Sequence, residues 1–232
     1  MDTINVRKAF DMEMGRLETD VLKLGALAQD AVSKAVWALR EQDAPLARSV
    51  INGDDVLDEL THQIDNQCLQ IIARFQPVAL DLRILSAVMH MAVDLERIGD
   101  LGCSVARTAL RLAEFRLIKP LIDLPRMADH LRDMVDGALG AFLHRDAERA
   151  REVCRQDDTM DDLEEQVLRE LLLLMMENPR NIEQAIELLM VARTLERAGD
   201  HSTNLAERVI YMVTGKMERS SGLRRPLGGG EA

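Results

Sequence analysis

Aromatic residues are scarce in this chain: among 232 residues there are one Trp, one Tyr and four Phe, 3% in all. A core without rings has to be aliphatic. Thirteen Met and 47% hydrophobic residues beside 30% charged residues describe long amphipathic helices rather than a sheet. Cysteine is equally thin. Cys68, Cys103 and Cys154 lie far apart with no C-x-x-C among them, which excludes a disulfide framework and a zinc knuckle and leaves core thiols of a reduced, intracellular chain. Long apolar runs are missing too. The longest, Leu171 to Met176, falls far short of the roughly 20 residues that cross a bilayer, and Met1 to Lys8 has no apolar signal core. A cytoplasmic protein with no direct membrane span is expected. Positive charge is short as well: 29 Lys and Arg against 40 Asp and Glu give a net charge of −11, with no basic stripe. Such a chain repels a phosphate backbone, so nucleic acid is excluded as a partner, and cations or basic protein surfaces suit it better.

What is present is a repeat. Leu95-Glu96-Arg97-Ile98-Gly99-Asp100 returns as Leu195-Glu196-Arg197-Ala198-Gly199-Asp200, and Ala92/Ala192 and Ala106/Ala206 extend the match. The chain reads as a tandem duplication. Apolar spacing places a first helix over Glu13–Leu39 and a second over Pro45–Phe75, with Asp43 as cap and Pro45 in the first turn. A third covers Ala79–Leu117 with a seam at Ile84, Val88, Met91, Leu95, Ile98, Gly102, Val105, Ala109 and Leu112. Pro120 and Pro125 mark the break between halves. A fourth helix is expected over Arg126–Leu143, a fifth from the cap Asp146 to Met176, and a sixth over Ile182–Val213. The fold class is therefore all-α: two tandem three-helix bundles, six long helices, over residues 1–118 and 119–216, with 217–232 a disordered tail.

Acid pairs recur with the repeat. On the third helix, Glu96 and Asp100 lie within about 40° of each other and about 150° from the seam centre, facing away from the bundle core. Glu196 and Asp200 do the same on the sixth. Asp54 and Asp58 flank Leu57 on the second helix, and Asp157 and Asp161 flank Met160 on the fifth. Like charges four apart cost about 0.2–0.5 kcal/mol per pair, and here four pairs go uncompensated at that spacing. If the two acid-bearing helices of a half pack side by side, the pairs converge into oxygen-rich patches suited to hard cations or to iron, manganese or zinc. A solvated acidic face is the plainer alternative. Gly99 and Gly199 argue against it, because glycine inside a helix costs about 0.5–1 kcal/mol and its recurrence between the acids points to close approach of a neighbour or ligand. The histidines follow no repeat; His201, beside Asp200, is the one placed to matter.

Gln76-Pro77-Val78-Ala79-Leu80-Asp81-Leu82-Arg83, followed by the two Leu-Glu-Arg-x-Gly-Asp motifs and by His201-Ser202-Thr203-Asn204-Leu205-Ala206-Glu207, resembles the PhoU family of phosphate-signalling regulators over residues 5–215. The resemblance implies a pair of three-helix bundles related by pseudo-twofold symmetry. It implies that Asp54, Asp58, Glu96, Asp100, Asp157, Asp161, Glu196 and Asp200 bind metal ions, with iron, zinc, manganese or magnesium as candidates. Asn204 falls where the family keeps a polar residue, while its partner position is Ser104. The resemblance further implies no enzymatic activity, a homodimer, and an adaptor that couples a phosphate ABC transporter, through its ATPase subunit, to a membrane sensor histidine kinase, repressing the phosphate-starvation response. Two alternatives share the helices: a metal-free adaptor, and a carboxylate-bridged di-iron protein. The latter needs two Glu-x-x-His motifs, and Glu59 to His62 supplies one.

Overall fold

The computed structural model describes residues 3–223, with side chains from Val6 onward. Its helices run in the order α1 (Thr3–Glu41), α2 (Ala44–Asn52), α3 (Asp54–Phe75), α4 (Leu80–Leu112), α5 (Asp123–His144), α6 (Ala147–Glu177) and α7 (Ile182–Thr214), with single 3₁₀ turns at Pro179–Asn181 and Ser220–Gly222. Among the described residues there is no strand, and no helix is long and apolar enough to cross a membrane. Six of the helices are long, as the periodicity requires; α2 is an additional short one.

The same turn joins the first helix of each half to the second. Gln42 takes the left-handed conformation (φ 55°) after α1, and Asp43 Oδ1 accepts from the Leu46 N–H at 2.9 Å. Arg145 (φ 53°) follows α5, and Asp146 Oδ1 accepts from the Glu148 and Arg149 N–H groups at 3.0 Å each. Each carboxylate satisfies donors that the first helical turn leaves free, at about 1 kcal/mol apiece.

Four expectations need correction. The first helix begins at Thr3 rather than Glu13. The second helix does not run unbroken from Pro45: it breaks at Gly53, whose N–H donates to both Ser49 and Val50 carbonyls while its own carbonyl accepts from Val56. Asn52-Gly53 is a weak helix-forming pair, and α6 keeps its turn because Gln156 stands where Gly53 does. The third helix stops at Leu112 rather than Leu117. The Gln42 side-chain amide reaches the carbonyls of Leu112 and Phe115, closing α4 with a donor from the far α1–α2 turn. The tail is docked as far as Leu223: Glu218 pairs with Arg151 at 2.7 and 2.8 Å, Ser220 N donates to Glu207, and Leu223 packs against the core. Residues 224–232 of that tail lie outside the described residues.

The seam of α4 and its counterpart on α7 (Leu188, Val191, Leu195, Ala198, Ser202, Leu205, Val209 and Met212) are buried along their whole length. Helix α4 packs on α1, α2, α3 and α7, while α7 packs on α4, α5 and α6, and α1 also meets α5. One aliphatic core therefore runs through both halves. Helix α4 crosses α1 backbone against backbone. A Cβ on Gly102 would sit 2.9 Å from the Val32 nitrogen and 3.1 Å from the Ala31 carbonyl carbon, so only glycine lets the two backbones approach.

Candidate metal centres

The acids lie where α3 meets α4 and where α6 meets α7. Leu57 packs directly over Gly99, where an added Cβ would strike its Cδ2, with Asp54 about one turn before that contact and Asp58 immediately after it. In the second half Met160 packs over Gly199, a Cβ there lying 3.2 Å from Met160 Cγ and 3.4 Å from Asp157 Oδ1. The glycines thus bring the neighbouring helix close, and the acids of one helix are drawn towards those of the other.

Burial along Met91–Asp100 and Val191–Asp200 is the same position by position, the acids being half-buried. They do not face straight out of the bundle, as a single-seam wheel expects. Because α4 and α7 each have neighbours on several sides, their buried arc is wider than one seam, and Glu96 and Glu196 fall on its edge. Asp157 is buried at 2% exposure, whereas Asp58 and Asp161 stay exposed.

Electrostatics tie the pairs together. Burial, then the charge of Asp100, and further out those of Asp58 and Asp54, hold the Glu96 carboxyl above its usual range despite Arg97. Arg97 bonds Asp100 at 2.8 Å and lies 3.7 Å from Glu96, neutralising part of the first cluster. In the second cluster, burial with Asp200, Glu164 and Asp161 pushes Glu196 up to about 7. Burial with Asp200 and Asp158 raises Asp161, and burial raises Asp200 against the opposing His201 and Arg197. Carboxylates that raise one another in this way favour any bound positive charge, proton or cation.

Three residues were not singled out from the sequence. Glu164 joins the second cluster; its signal was the i, i+4, i+7 spacing of Asp157, Asp161 and Glu164. Asp94 receives His201 Nδ1 at 2.9 Å and the Asn204 amide at 3.4 Å, so both polar residues of α7 turn across the seam to α4 rather than to the acids of their own helix. Cys103 lies buried against Asp54, and burial with that contact pushes its thiol up to about 12.

An all-oxygen donor set of four or five carboxylates fits divalent cations by its chemistry. Among the described residues, no three His, Cys, Asp or Glu side chains are already gathered as a metal would hold them.

The family model described as the PhoU domain matches residues 21–109 and 124–209. The chain is 38% identical over 224 residues to the phosphate-specific transport system accessory protein PhoU homolog of Pseudomonas putida, covering 96% of this chain and 88% of that one. It is 37% identical over 205 residues to the protein of the same name from Aquifex aeolicus, covering 88% of this chain and 93% of that one. Among solved structures, PhoU from Pseudomonas aeruginosa superposes with a TM-score of 0.84 at 38% identity, over 89% of this chain and 100% of that one. The phosphate transport system regulatory protein PhoU from Streptococcus pneumoniae gives 0.83 at 30% identity, over 90% and 99%. The duplicated motif, the two bundles and these matches agree across both halves, and the chain belongs to the PhoU family.

Proposed function

We propose that this chain is a regulatory accessory protein of phosphate uptake, working by docking rather than by catalysis. The observation that carries the reading is its similarity, over nearly the whole chain, to proteins named as accessory to the phosphate-specific transport system. In this reading it is a cytoplasmic homodimer that joins the ATPase subunit of a phosphate ABC transporter to a membrane sensor histidine kinase and represses the starvation response when phosphate is plentiful. Deleting the gene is expected to derepress phosphate-scavenging enzymes in high phosphate; unchanged expression overturns it.

The clusters are read as cation sites. Asp54, Asp58, Glu96 and Asp100 hold one, and Asp157, Asp161, Glu196 and Asp200, with Glu164 beside them, hold the other. A bound divalent cation supplies positive charge that offsets the mutual repulsion of these carboxylates. The chain's own part is to pin α3 to α4 and α6 to α7 through ligands on both helices, stiffening the surface a partner meets. Metal analysis of purified protein beside Glu96→Ala/Asp100→Ala and Glu196→Ala/Asp200→Ala tests this: divalent metal is expected in the wild type and less in each variant, and its absence from the wild type sinks the claim. The metal-free adaptor is the second reading, favoured by the open arrangement of the side chains.

A further inference from the structure

Helix α7 carries an apolar stripe that the core does not use. Ile182, Ile186 and Met190 recur every four residues and are 42%, 49% and 53% exposed, and across the hairpin α6 adds Leu172 at 47% and Met176 at 81%. At the matching positions of α4 stand Leu82, Ser86 and His90, so the first half has no such stripe. A continuous exposed apolar face of this kind marks an interaction surface. The charges beside it select the occupant. Measured from buried Leu188 at about 100° per residue, Ile186 and Met190 lie about 20° to either side of the outward direction, and exposed Glu183 and Arg193 about 40° to either side. Along the helix axis the first two stand about 3 Å below and above Leu188, and the second two about 7.5 Å below and above it. Each pair is therefore related by a two-fold axis through the level of Leu188. A second α7 laid antiparallel about that axis meets Ile186 with its Met190 and Glu183 with its Arg193, and the symmetry repeats both contacts.

We propose that the outer face of α7 is the interface between two copies of this chain, with α7 packed antiparallel on α7 of the second copy about the level of Leu188. The inference rests on the homodimer of the proposed function and deepens it by naming the face and the register. A two-fold contact of this kind is self-complementary and closes at two chains. Burial of Ile186, Met190 and the flanking Ile182 supplies the drive to associate, and the two Glu183–Arg193 pairs at the rim fix the register. Arg193 has the reach for this: its side chain is 67% exposed and stands 3.6 Å from Glu164 of its own chain. The alternative is an unrelated protein seated on the same stripe. Such a partner gives no reason for Glu183 and Arg193 to match each other across an axis.

Sedimentation velocity on the full chain over a series of concentrations tests both the face and the register. A dimer is expected for the wild type and a monomer for Ile186→Glu/Met190→Glu, with circular dichroism melts to show that this variant folds. Ser86→Glu/His90→Glu, at the matching positions of α4, should remain dimeric. Charge reversal then reads the register without touching the apolar stripe. Glu183→Arg and Arg193→Glu should each weaken the dimer about tenfold, because two ion pairs become two repulsions. Mixed in equal amounts, the two variants should recover a tight dimer, since every facing pair in the mixed dimer is again opposite in charge. A dimer that survives Ile186→Glu/Met190→Glu, or that is lost equally in Ser86→Glu/His90→Glu, overturns this face and leaves the homodimer standing. Failure of the two single variants to recover on mixing overturns the register. A wild type that is monomeric at every concentration overturns the face and the homodimer together.

Discussion

The first half breaks its acid-bearing helix at Gly53 and gathers four carboxylates around Leu57; the second keeps α6 whole from Ala147 to Glu177 and gathers five around Met160. Where the second half has Glu164, the first has Thr61; where the first has Gly102 and Cys103, the second has Ser202 and Thr203. The backbone plan is shared and the chemistry is not. Duplication preserved what the bundle needs, a continuous seam with glycine between the acids, and allowed the charge and close-packing of each copy to drift apart.

The largest expected effect tests the packing side of this contrast. Gly102→Ala drives a methyl into the α1 backbone at Ala31 and Val32, which cannot swing aside as a side chain would, and is expected to cost about 2–3 kcal/mol in urea denaturation. Ser202→Ala, at the matching position, loses one hydroxyl bonded within its own helix and should cost under about 1 kcal/mol. Equal losses would mean that the α4–α1 crossing is no tighter than its counterpart.

A smaller separation is expected between the glycines of the motif. Gly99→Ala meets Leu57, a buried but movable side chain, so overpacking of about 1–3 kcal/mol is partly offset by the roughly 1 kcal/mol that alanine gains in a helix. A net loss near 1 kcal/mol should result. Gly199→Ala meets Met160 and Asp157 at 3.2 Å and beyond and is expected to be neutral or slightly stabilising. Thermal melts of the two variants side by side decide it; Gly199→Ala as the more damaging one breaks the comparison.

The smallest effect is the dependence on pH. Glu196 moves from 4.5 up to about 7, so the folded state holds its proton more firmly than the unfolded chain does. That contribution is complete below pH 4.5 and is lost as pH rises through about 7. The raised Asp161 and Asp200 carboxyls act in the same sense. The melting temperature of chelator-treated protein should therefore fall across this window. Glu196→Gln should flatten the fall more than Glu96→Gln, whose partner acids are partly neutralised by Arg97. Equal flattening would erase the electrostatic distinction between the clusters.

Much of the bundle was legible because its signals are local. The seam of α4 is written in steps of three and four, Asp43 and Asp146 announce their turns, and the acid pairs flank Leu57 and Met160 in sequence before they do so in space. What stayed hidden depends on distant partners. Nothing near Leu112 says that α4 ends there, because the donor that closes it is Gln42. The docking of Glu218 on Arg151 requires α6 to lie beneath residues 216–223. Asp94 looks like any solvated acid until His201 and Asn204 arrive from the other half, and Cys103 looks like a core thiol until Asp54 is placed against it.

The contact of Asp94 with His201 has a consequence for how such a chain differs from a dimer of identical single repeats. In a symmetric pair every cross-contact occurs twice, so a costly or useful polar pair is either doubled or absent. Here the positions that match Asp94 and His201 in the repeat are Thr194 and Leu101, neither of them charged, and the Thr194 hydroxyl donates to Met190 of its own helix. Covalent tandem arrangement frees the interface from that doubling and from mass action alike: dilution cannot part α4 from α7, and one half can be altered without altering the other.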